Sequence, residues 1–305
     1  MMGLLFWVWG PVLAGPVVAL AWWLVRGRQR GLPPGTNRVI PLVAGVVLLL
    51  GVAAETLLGM PLFLPFDVPM EVWTWYSDTR FAIPLLLGIL GLTLLAFPVR
   101  HRSGRGTAQL SPRTPVSFGR RWWFITPGVL AVLIVAITVL TGSASQPEPT
   151  TGRYAVYFVD VGEQYSMGTS IYGWFYSVPS LILLAILLAT AYLDLVLIAR
   201  PALGPDHDRD GQVRTVRTRN VLAVTSGALL VHLGMVLASL AGTASMRGEF
   251  TGPDGTTPAW TTFAALEPAF SGASLVACAL GVGLWATVLL SAVSARHPVQ
   301  VLAAS

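Results

Sequence analysis

The chain contains no lysine, and all nineteen of its basic residues are arginine. A phosphate-binding P-loop requires a lysine, and a retinal or pyridoxal Schiff base requires the same amine, so neither kind of site is available. An arginine-only chain is typical of a GC-rich bacterial genome, because codon bias there replaces lysine without changing the charge. We therefore expect a bacterial protein with no P-loop nucleotide site and no retinal.

Cysteine is almost as scarce, since Cys278 is the only one and lies in an apolar run typical of packing. A single thiol excludes an intramolecular disulfide, a cysteine-rich zinc site and an iron–sulfur cluster. The sequence also lacks a zincin motif, a serine nucleophile elbow and a pair of carboxylates spaced for catalysis. These absences predict no catalytic residue, no metal and no cofactor, and they disfavour an enzyme.

One segment resembles a metal site without completing it. Residues 206–211, Asp-His-Asp-Arg-Asp-Gly, match the first half of a calcium-binding loop. The twelfth position of such a loop should hold a glutamate, but here it holds Arg217, and Arg209 and Arg214 would repel a cation. We interpret 199–220 as a polar cytoplasmic loop without a bound metal.

Charged residues are few, at 11% of the chain, whereas hydrophobic residues make up 54%. A soluble domain has about 25% charged residues. We therefore expect the lipid bilayer to be the main partner of the chain and expect no nucleic acid.

The apolar residues are concentrated in runs of about 20, which as helices cross a hydrocarbon core of about 30 Å. Backbone polar groups cannot stay unpaired in lipid, so such runs must be helical. We predict an all-α membrane protein, a bundle of about seven transmembrane helices, or six if one segment is re-entrant. The predicted spans are 4–25, 39–60, 81–99, 122–140, 175–198, 221–242 and 265–293.

The distribution of arginine predicts the orientation of these spans, because short loops rich in arginine stay in the cytoplasm. With the amino terminus outside, sixteen arginines fall in the inner loops and tail, and only Arg80, Arg153 and Arg247 fall outside. No arginine precedes the first span, which favours a retained helix over a cleavable signal peptide. We expect a multi-pass protein of the bacterial plasma membrane with its carboxyl terminus in the cytoplasm.

Two outer loops, 61–80 and 142–170, are too long to be simple turns and predict a small extracellular cap. Residues 154–161 in the second loop are rich in β-branched and aromatic residues, which predicts a strand. Acidic residues outnumber arginine on this side by nine to three. The negative outer surface either keeps the loops hydrated or concentrates cations and basic partners.

Aromatic residues of the cap have two interpretations. Trp73, Trp75 and Tyr76 are typical of a segment that lies on the lipid surface. The alternative is an aromatic platform for a ligand, formed by Trp73, Trp75 and Tyr157.

Four ionisable side chains fall within the predicted spans or at their ends, where burying a charge costs about 2.5–3.5 kcal/mol. They are Glu55, Asp194, His232 and Glu267. Asp194 lies about 9 Å along the helix from Arg200, which is close enough to pair with an arginine at the inner interface. Glu55 and Glu267 lie near the outer ends of their spans, where a structural role also accounts for them.

His232 lies about 16 Å inside its span and cannot reach water, so it requires a protein partner. A neutral histidine hydrogen-bonded between helices would satisfy it. The alternative is a proton relay or a substrate contact. If the second and seventh helices converge at their outer ends, Glu55 and Glu267 would share a polar cavity with His232.

Small residues recur at a spacing of four in the last two spans and predict faces where helices pack closely. They are Gly234, Ala238 and Gly242 in the sixth span, and Ala273, Ala277 and Gly281 in the seventh.

The sequence favours a non-catalytic helix bundle, a component of a membrane complex or translocation system with other membrane subunits as partners. The alternative is a solute or ion carrier, or a membrane sensor, with a polar path near Glu55, His232 and Glu267. Convergence of these three side chains on one cavity would favour the carrier.

Overall fold

The structure, a computed structural model, describes residues 2–27, 31–33, 36–59, 68–97, 114–161, 165–200, 207–252 and 255–293. Within these residues the chain forms eight α-helices and two small antiparallel sheets. The helices are α1 (Met2–Trp22), α2 (Val39–Leu58), α3 (Met70–Thr79), α4 (Ile83–Ala96), α5 (Arg121–Ala144), α6 (Trp174–Ala199), α7 (His207–Ala244) and α8 (Glu267–Ala292). The strands are β1 (Gln146–Pro147), β2 (Tyr154–Val161), β3 (Tyr165–Ser170), β4 (Arg247–Gly252) and β5 (Gly255–Trp260).

Six of the described helices, α1, α2, α5, α6, α7 and α8, are long and apolar enough to cross a membrane. The shorter α3 and α4 meet at a bend of 77° and make a seventh candidate if the pair counts as one span. This confirms the predicted bundle of six to seven long apolar helices. Among the described residues, the predicted third span, 81–99, corresponds to the short helix α4, and a bend separates α4 from α3.

The central helix is α7, which packs against α4, α5, α6 and α8. It is also longer than predicted, since it begins at His207 and the predicted span began at 221. Most of 199–220 is therefore helical, which corrects the expectation of a polar loop.

Arg214 stabilises the helical start of α7 and joins it to the end of α6. Its Nε atom pairs with Asp210 Oδ2 at 2.7 Å, one turn earlier on the same helix. Its Nη1 atom donates to the carbonyl oxygens of Ile198 and Arg200 at the carboxyl end of α6. A cation at this position satisfies carbonyl groups that have no partner within their own helix and also interacts favourably with the helix dipole.

The two ends of the bundle differ in composition. At one end, Arg217 on α7 donates to the carbonyl of Leu95 on α4, and the amide of Leu32 donates to Ser291 on α8. We call this the arginine-rich end; its arginines in the described chain are Arg26, Arg38, Arg120, Arg121, Arg200, Arg209, Arg214, Arg217 and Arg219.

The opposite end carries both sheets, and we call it the hairpin end. Strand β2 has the bounds of the predicted strand and pairs with β3, while β1 pairs with its other edge. The hairpin of β4 and β5, between α7 and α8, was not predicted. Parts of the predicted cap and inner loops, namely 60–67, 98–113, 201–206 and the tail 294–305, lie outside the described residues.

Candidate ligand cavity

Glu55 lies on the last turns of α2, at the hairpin end, next to Tyr76 of α3. The Tyr76 hydroxyl is 3.3 Å from Glu55 Oε1 and 3.5 Å from the Glu55 carbonyl oxygen. The bend between α3 and α4 turns α3 across the end of the bundle, so the buried phenol of Tyr76 reaches α2. The arrangement joins two residues that are 21 positions apart in the sequence.

These two side chains line a cavity of about 360 Å³ between α1, α2, α7 and α8. We call it the Glu55 cavity. Its lining consists of Pro11, Val12, Val52, Glu55, Thr56, Gly59, Tyr76, Val231, Met235, Ala238, Ala241, Ser271, Ser274, Leu275, Cys278 and Val282. Most of this surface is apolar, and no described lining residue carries a positive charge.

Two hydroxyl groups of the lining already donate to helix carbonyls, whereas the hydroxyl of half-buried Ser271 has no hydrogen bond among the described residues. Thr56 Oγ1 donates to the Val52 carbonyl at 2.7 Å, and Ser274 Oγ donates to the Gly234 carbonyl at 2.7 Å. Glu55 differs, because Oε1 accepts from Tyr76 while Oε2 has no hydrogen-bond partner among the described residues. The cavity therefore offers one carboxylate oxygen to whatever enters it.

His232 does not line the Glu55 cavity. Its side chain is fully buried, with Nδ1 2.8 Å from the Phe81 carbonyl oxygen and Nε2 3.5 Å from the Tyr172 hydroxyl. Because a carbonyl oxygen only accepts, Nδ1 must carry the proton, which leaves Nε2 to accept from Tyr172. Burial raises the pKa of the Tyr172 phenol above its usual value, so this donor keeps its proton.

Glu267 also lies apart from the cavity, in the first turn of α8. Its side chain is half-buried, and a carboxylate there is stabilised by the amino end of the helix dipole. The predicted convergence of Glu55, His232 and Glu267 on one cavity is therefore not found.

Asp194 lies near the arginine-rich end and is buried. The positive charge of Arg217 interacts favourably with it, as expected for an aspartate close to the inner ends of the helices. Its Oδ2 atom nevertheless has no hydrogen-bond partner in the described part of the chain.

The three aromatic candidates do not meet in the cavity. Trp73 packs edge-on against Tyr76 with ring centroids 5.8 Å apart, and Trp75 is 57% exposed. Tyr157, on β2, contacts the ring of Phe263 and hydrogen-bonds to a threonine near the start of α8. Of the aromatic residues on α3, it is Tyr76 that reaches the Glu55 cavity.

Sequence patterns missed several cavity residues. Cys278 lines the cavity as well as packing on α7, and Ala238 faces the cavity and not a neighbouring helix. Single small or sulfur-containing residues carry no signal of a cavity, because the cavity depends on how four helices cross.

Comparison of the chain with protein-family models, with curated proteins and with solved structures found no match.

Proposed function

We propose that the chain is a multi-pass membrane protein that binds a small ligand in the Glu55 cavity, as a sensor or a carrier, without catalysing a reaction. We further propose that the hairpin end faces outward and the arginine-rich end faces the cytoplasm of a bacterial cell. A different observation supports each part of this proposal: insertion in a bilayer, orientation in the membrane, and ligand binding.

The bilayer is supported by the apolar surface of the bundle. Val132 and Leu140 on α5 are each 71% exposed. Comparable side chains cover other helices, including Val17, Val18, Leu50, Ile182, Leu193 and Val276. Contiguous apolar surface of this extent is unfavourable in water and favourable against lipid chains.

The orientation is supported by the nine arginines at the arginine-rich end against three at the hairpin end, counted over the described residues. The third crossing is the least regular. Helix α4 has 14 residues, or about 21 Å, which is shorter than the hydrocarbon core of about 30 Å. We propose that α3 lies in the outer interface and completes this crossing, where exposed Trp75 suits the headgroup region.

Ligand binding is supported by the Glu55 cavity itself. The cavity is partly open to the surroundings of the bundle, since Gly59 and Ala238 in its lining are exposed. Its volume of about 360 Å³ falls in the range of small-molecule pockets, about 300–1,000 Å³. A carboxyl group that lies in a largely apolar cleft of this size suits a bound ligand better than a role in packing alone.

Filling the cavity tests this proposal. The purified full-length chain would be screened for thermal stabilisation by small amphiphiles, because a ligand at 100 times its Kd stabilises a protein by about 2.7 kcal/mol. Ala238→Phe projects a ring into the cavity and should abolish stabilisation by the compounds found. Val132→Phe, on the exposed face of α5, is the matched control and should leave it intact. If no compound depends on Ala238, the proposal is wrong.

A second candidate function is the non-catalytic subunit of a membrane complex. Two aromatic side chains of the hairpin end, Tyr154 and Trp260, are 49% and 57% exposed. Exposed aromatic residues of this kind are common at protein interfaces. Chemical crosslinking in native membranes tests this function: a discrete crosslinked species that disappears in Trp260→Ser supports it, and an unchanged pattern opposes it.

A further inference from the structure

We propose that the ligand of the Glu55 cavity is a primary ammonium cation with a compact hydrocarbon body. The inference rests on the proposed function, since it names the class of molecule that the same cavity would hold. Three features carry it: the charge balance of the cavity lining, the distribution of its polar groups, and the charge of the hairpin end, where Glu55 lies.

The charge balance favours a positive partner. Glu55 contributes a carboxyl group, and the described lining contains no arginine or histidine to neutralise its ionised form. Tyr76 supplies a single hydrogen bond, whereas an ionised carboxylate can accept about four. A carboxyl group in an apolar environment avoids an unpaired charge either by keeping its proton or by pairing with a cation, so a cation that reaches Oε2 stabilises the ionised form.

The remaining polar surface disfavours other ligand classes. Thr56, Ser274 and Tyr76 already donate hydrogen bonds, which leaves Ser271 as the one described lining hydroxyl that is free to donate, too few for a sugar or polyol. An anion would meet a carboxylate and no positive charge. A lipid-like neutral molecule would fill the apolar part but would leave Glu55 unpaired.

The cavity provides too few protein ligands for a metal ion. Calcium takes six to eight oxygen ligands, and magnesium about six. The described residues contain no group of three or more histidine, cysteine, aspartate or glutamate side chains that could hold a metal. An ammonium group needs fewer contacts, because one N–H can donate to Oε2 while the hydrocarbon body replaces water along Val52, Val231 and Leu275.

The electrostatics of the hairpin end favour entry of a cation. Its described acidic residues outnumber its arginines: Glu71, Asp78, Glu148, Asp160, Glu249 and Glu267 stand against Arg80, Arg153 and Arg247. Arg153 is paired with Asp78 at 3.0 Å, and Arg80 lies over the rings of Phe81 and Tyr176. A negative field near a low-dielectric site raises the local concentration of cations.

The test uses three probes with the same hydrocarbon skeleton and different head groups: adamantan-1-ylmethanamine, the corresponding alcohol and the corresponding carboxylic acid. Binding to the full chain in detergent would be measured by isothermal titration calorimetry at pH 7. We expect the ammonium to bind about 10- to 100-fold more tightly than the alcohol, and the carboxylate to bind least, because only the amine adds the attraction between opposite charges to a hydrogen bond that the alcohol can also donate to Glu55. Glu55→Gln should bring the ratio of amine to alcohol affinity close to one.

Glu267→Gln is the matched control, because it removes a carboxylate at the same end of the molecule and outside the cavity. It should leave the preference for the ammonium intact. Glu55→Asp keeps the charge and should retain part of that preference, which guards against a Glu55→Gln variant that fails to fold. Melting temperature and elution volume would check each variant.

Two outcomes overturn the inference and are distinguishable from failure of the proposed function. If the amine and alcohol bind equally and Ala238→Phe abolishes both, the cavity is a ligand site but does not select a cation. If the amine does not bind at all, the inference is also wrong. The proposed function then fails with it only if the wider screen finds no compound that depends on Ala238.

Discussion

The two ring nitrogens of His232 hold three segments of the bundle together. The histidine belongs to α7, Phe81 lies in the turn before α4, and Tyr172 lies just before α6. The Tyr172 ring also packs edge-on against Phe81, with centroids 4.8 Å apart. A neutral imidazole that donates from one nitrogen and accepts at the other suits this position, so we propose a structural role for His232.

His232→Leu should lower the free energy of unfolding by about 1–2 kcal/mol, because it leaves a buried carbonyl and a buried phenol without their partner. Denaturant titration in detergent micelles would measure the loss. Binding of the ligand at the Glu55 cavity should be unchanged, since His232 does not line it.

Tyr172→Phe provides the comparison for His232. It removes the longer contact of His232, at 3.5 Å, and leaves the contact with Phe81 at 2.8 Å in place. The decrease in the free energy of unfolding should therefore be smaller than for His232→Leu. A His232→Leu variant with full stability but impaired ligand binding would show instead that this residue has a functional role.

The sequence indicated that His232 lies inside an apolar helix but not which atoms it contacts. Its position in that helix follows from counting residues along one segment. Its partners are 60 and 151 residues away, and one of them is a backbone carbonyl, which has no sequence signature. The same holds for Glu55, whose position near a helix end was predicted and whose contact with Tyr76 depends on the bend between α3 and α4.

Helices α7 and α8 approach each other closely at Gly227 and Gly281. A Cβ atom at Gly281 would lie 2.8 Å from the Gly227 carbonyl oxygen, and one at Gly227 would lie 2.5 Å from Trp285 Nε1. The fully buried Trp285 ring donates from Nε1 to the Val224 carbonyl at 3.1 Å. The pair of helices therefore depends on the absence of side chains at two positions that face each other.

Gly281→Ala should destabilise the bundle by about 1–3 kcal/mol, because the added methyl group must push α8 away from the α7 backbone. Gly272→Ala is the matched control on the same helix, where a Cβ atom meets nothing within 4 Å. That change should be neutral or stabilise by about 0.5–1 kcal/mol through helix propensity. Thermal unfolding of the two variants side by side checks the prediction, and equal melting temperatures would contradict it.

Spacing alone identified only part of this packing. Gly234 and Gly281 are at close contacts as predicted, whereas Gly242 has open space around it and Ala238 faces the Glu55 cavity. A spacing of four specifies one face of a helix but not which neighbour that face meets. Gly15 is another close contact, between α1 and the backbone of α8.

The hairpin of β4 and β5 was missed although the sequence carries a turn signal there. Pro253, Asp254 and Gly255 form a combination typical of tight turns. The flanking residues include Gly248 and Pro258, which are unusual in strands and hide the pattern. In contrast, β2 was predictable because its eight residues are nearly all β-branched or aromatic.

At the scale of the whole molecule, one buried helix organises the others. Helix α7 is surrounded by α4, α5, α6 and α8, while the exposed apolar side chains lie on the helices around it. Composition predicted the number of long apolar helices, because that depends on hydropathy alone. The central position of α7 was not predictable, since its apolar residues resemble those of its neighbours.

We propose that this bundle spans a membrane with its hairpin end outside. The single cysteine makes the test simple, because Cys278→Ala gives a cysteine-free background into which one thiol is placed. Thr150→Cys lies at the hairpin end and Val116→Cys at the arginine-rich end, and both positions are exposed. We expect a membrane-impermeant maleimide to label Thr150→Cys in intact cells, and to label Val116→Cys only after the membrane is permeabilised. Labelling of Val116→Cys in intact cells, with Thr150→Cys protected, would contradict the proposed orientation, and recovery of the chain in the soluble fraction would contradict the membrane-spanning bundle itself.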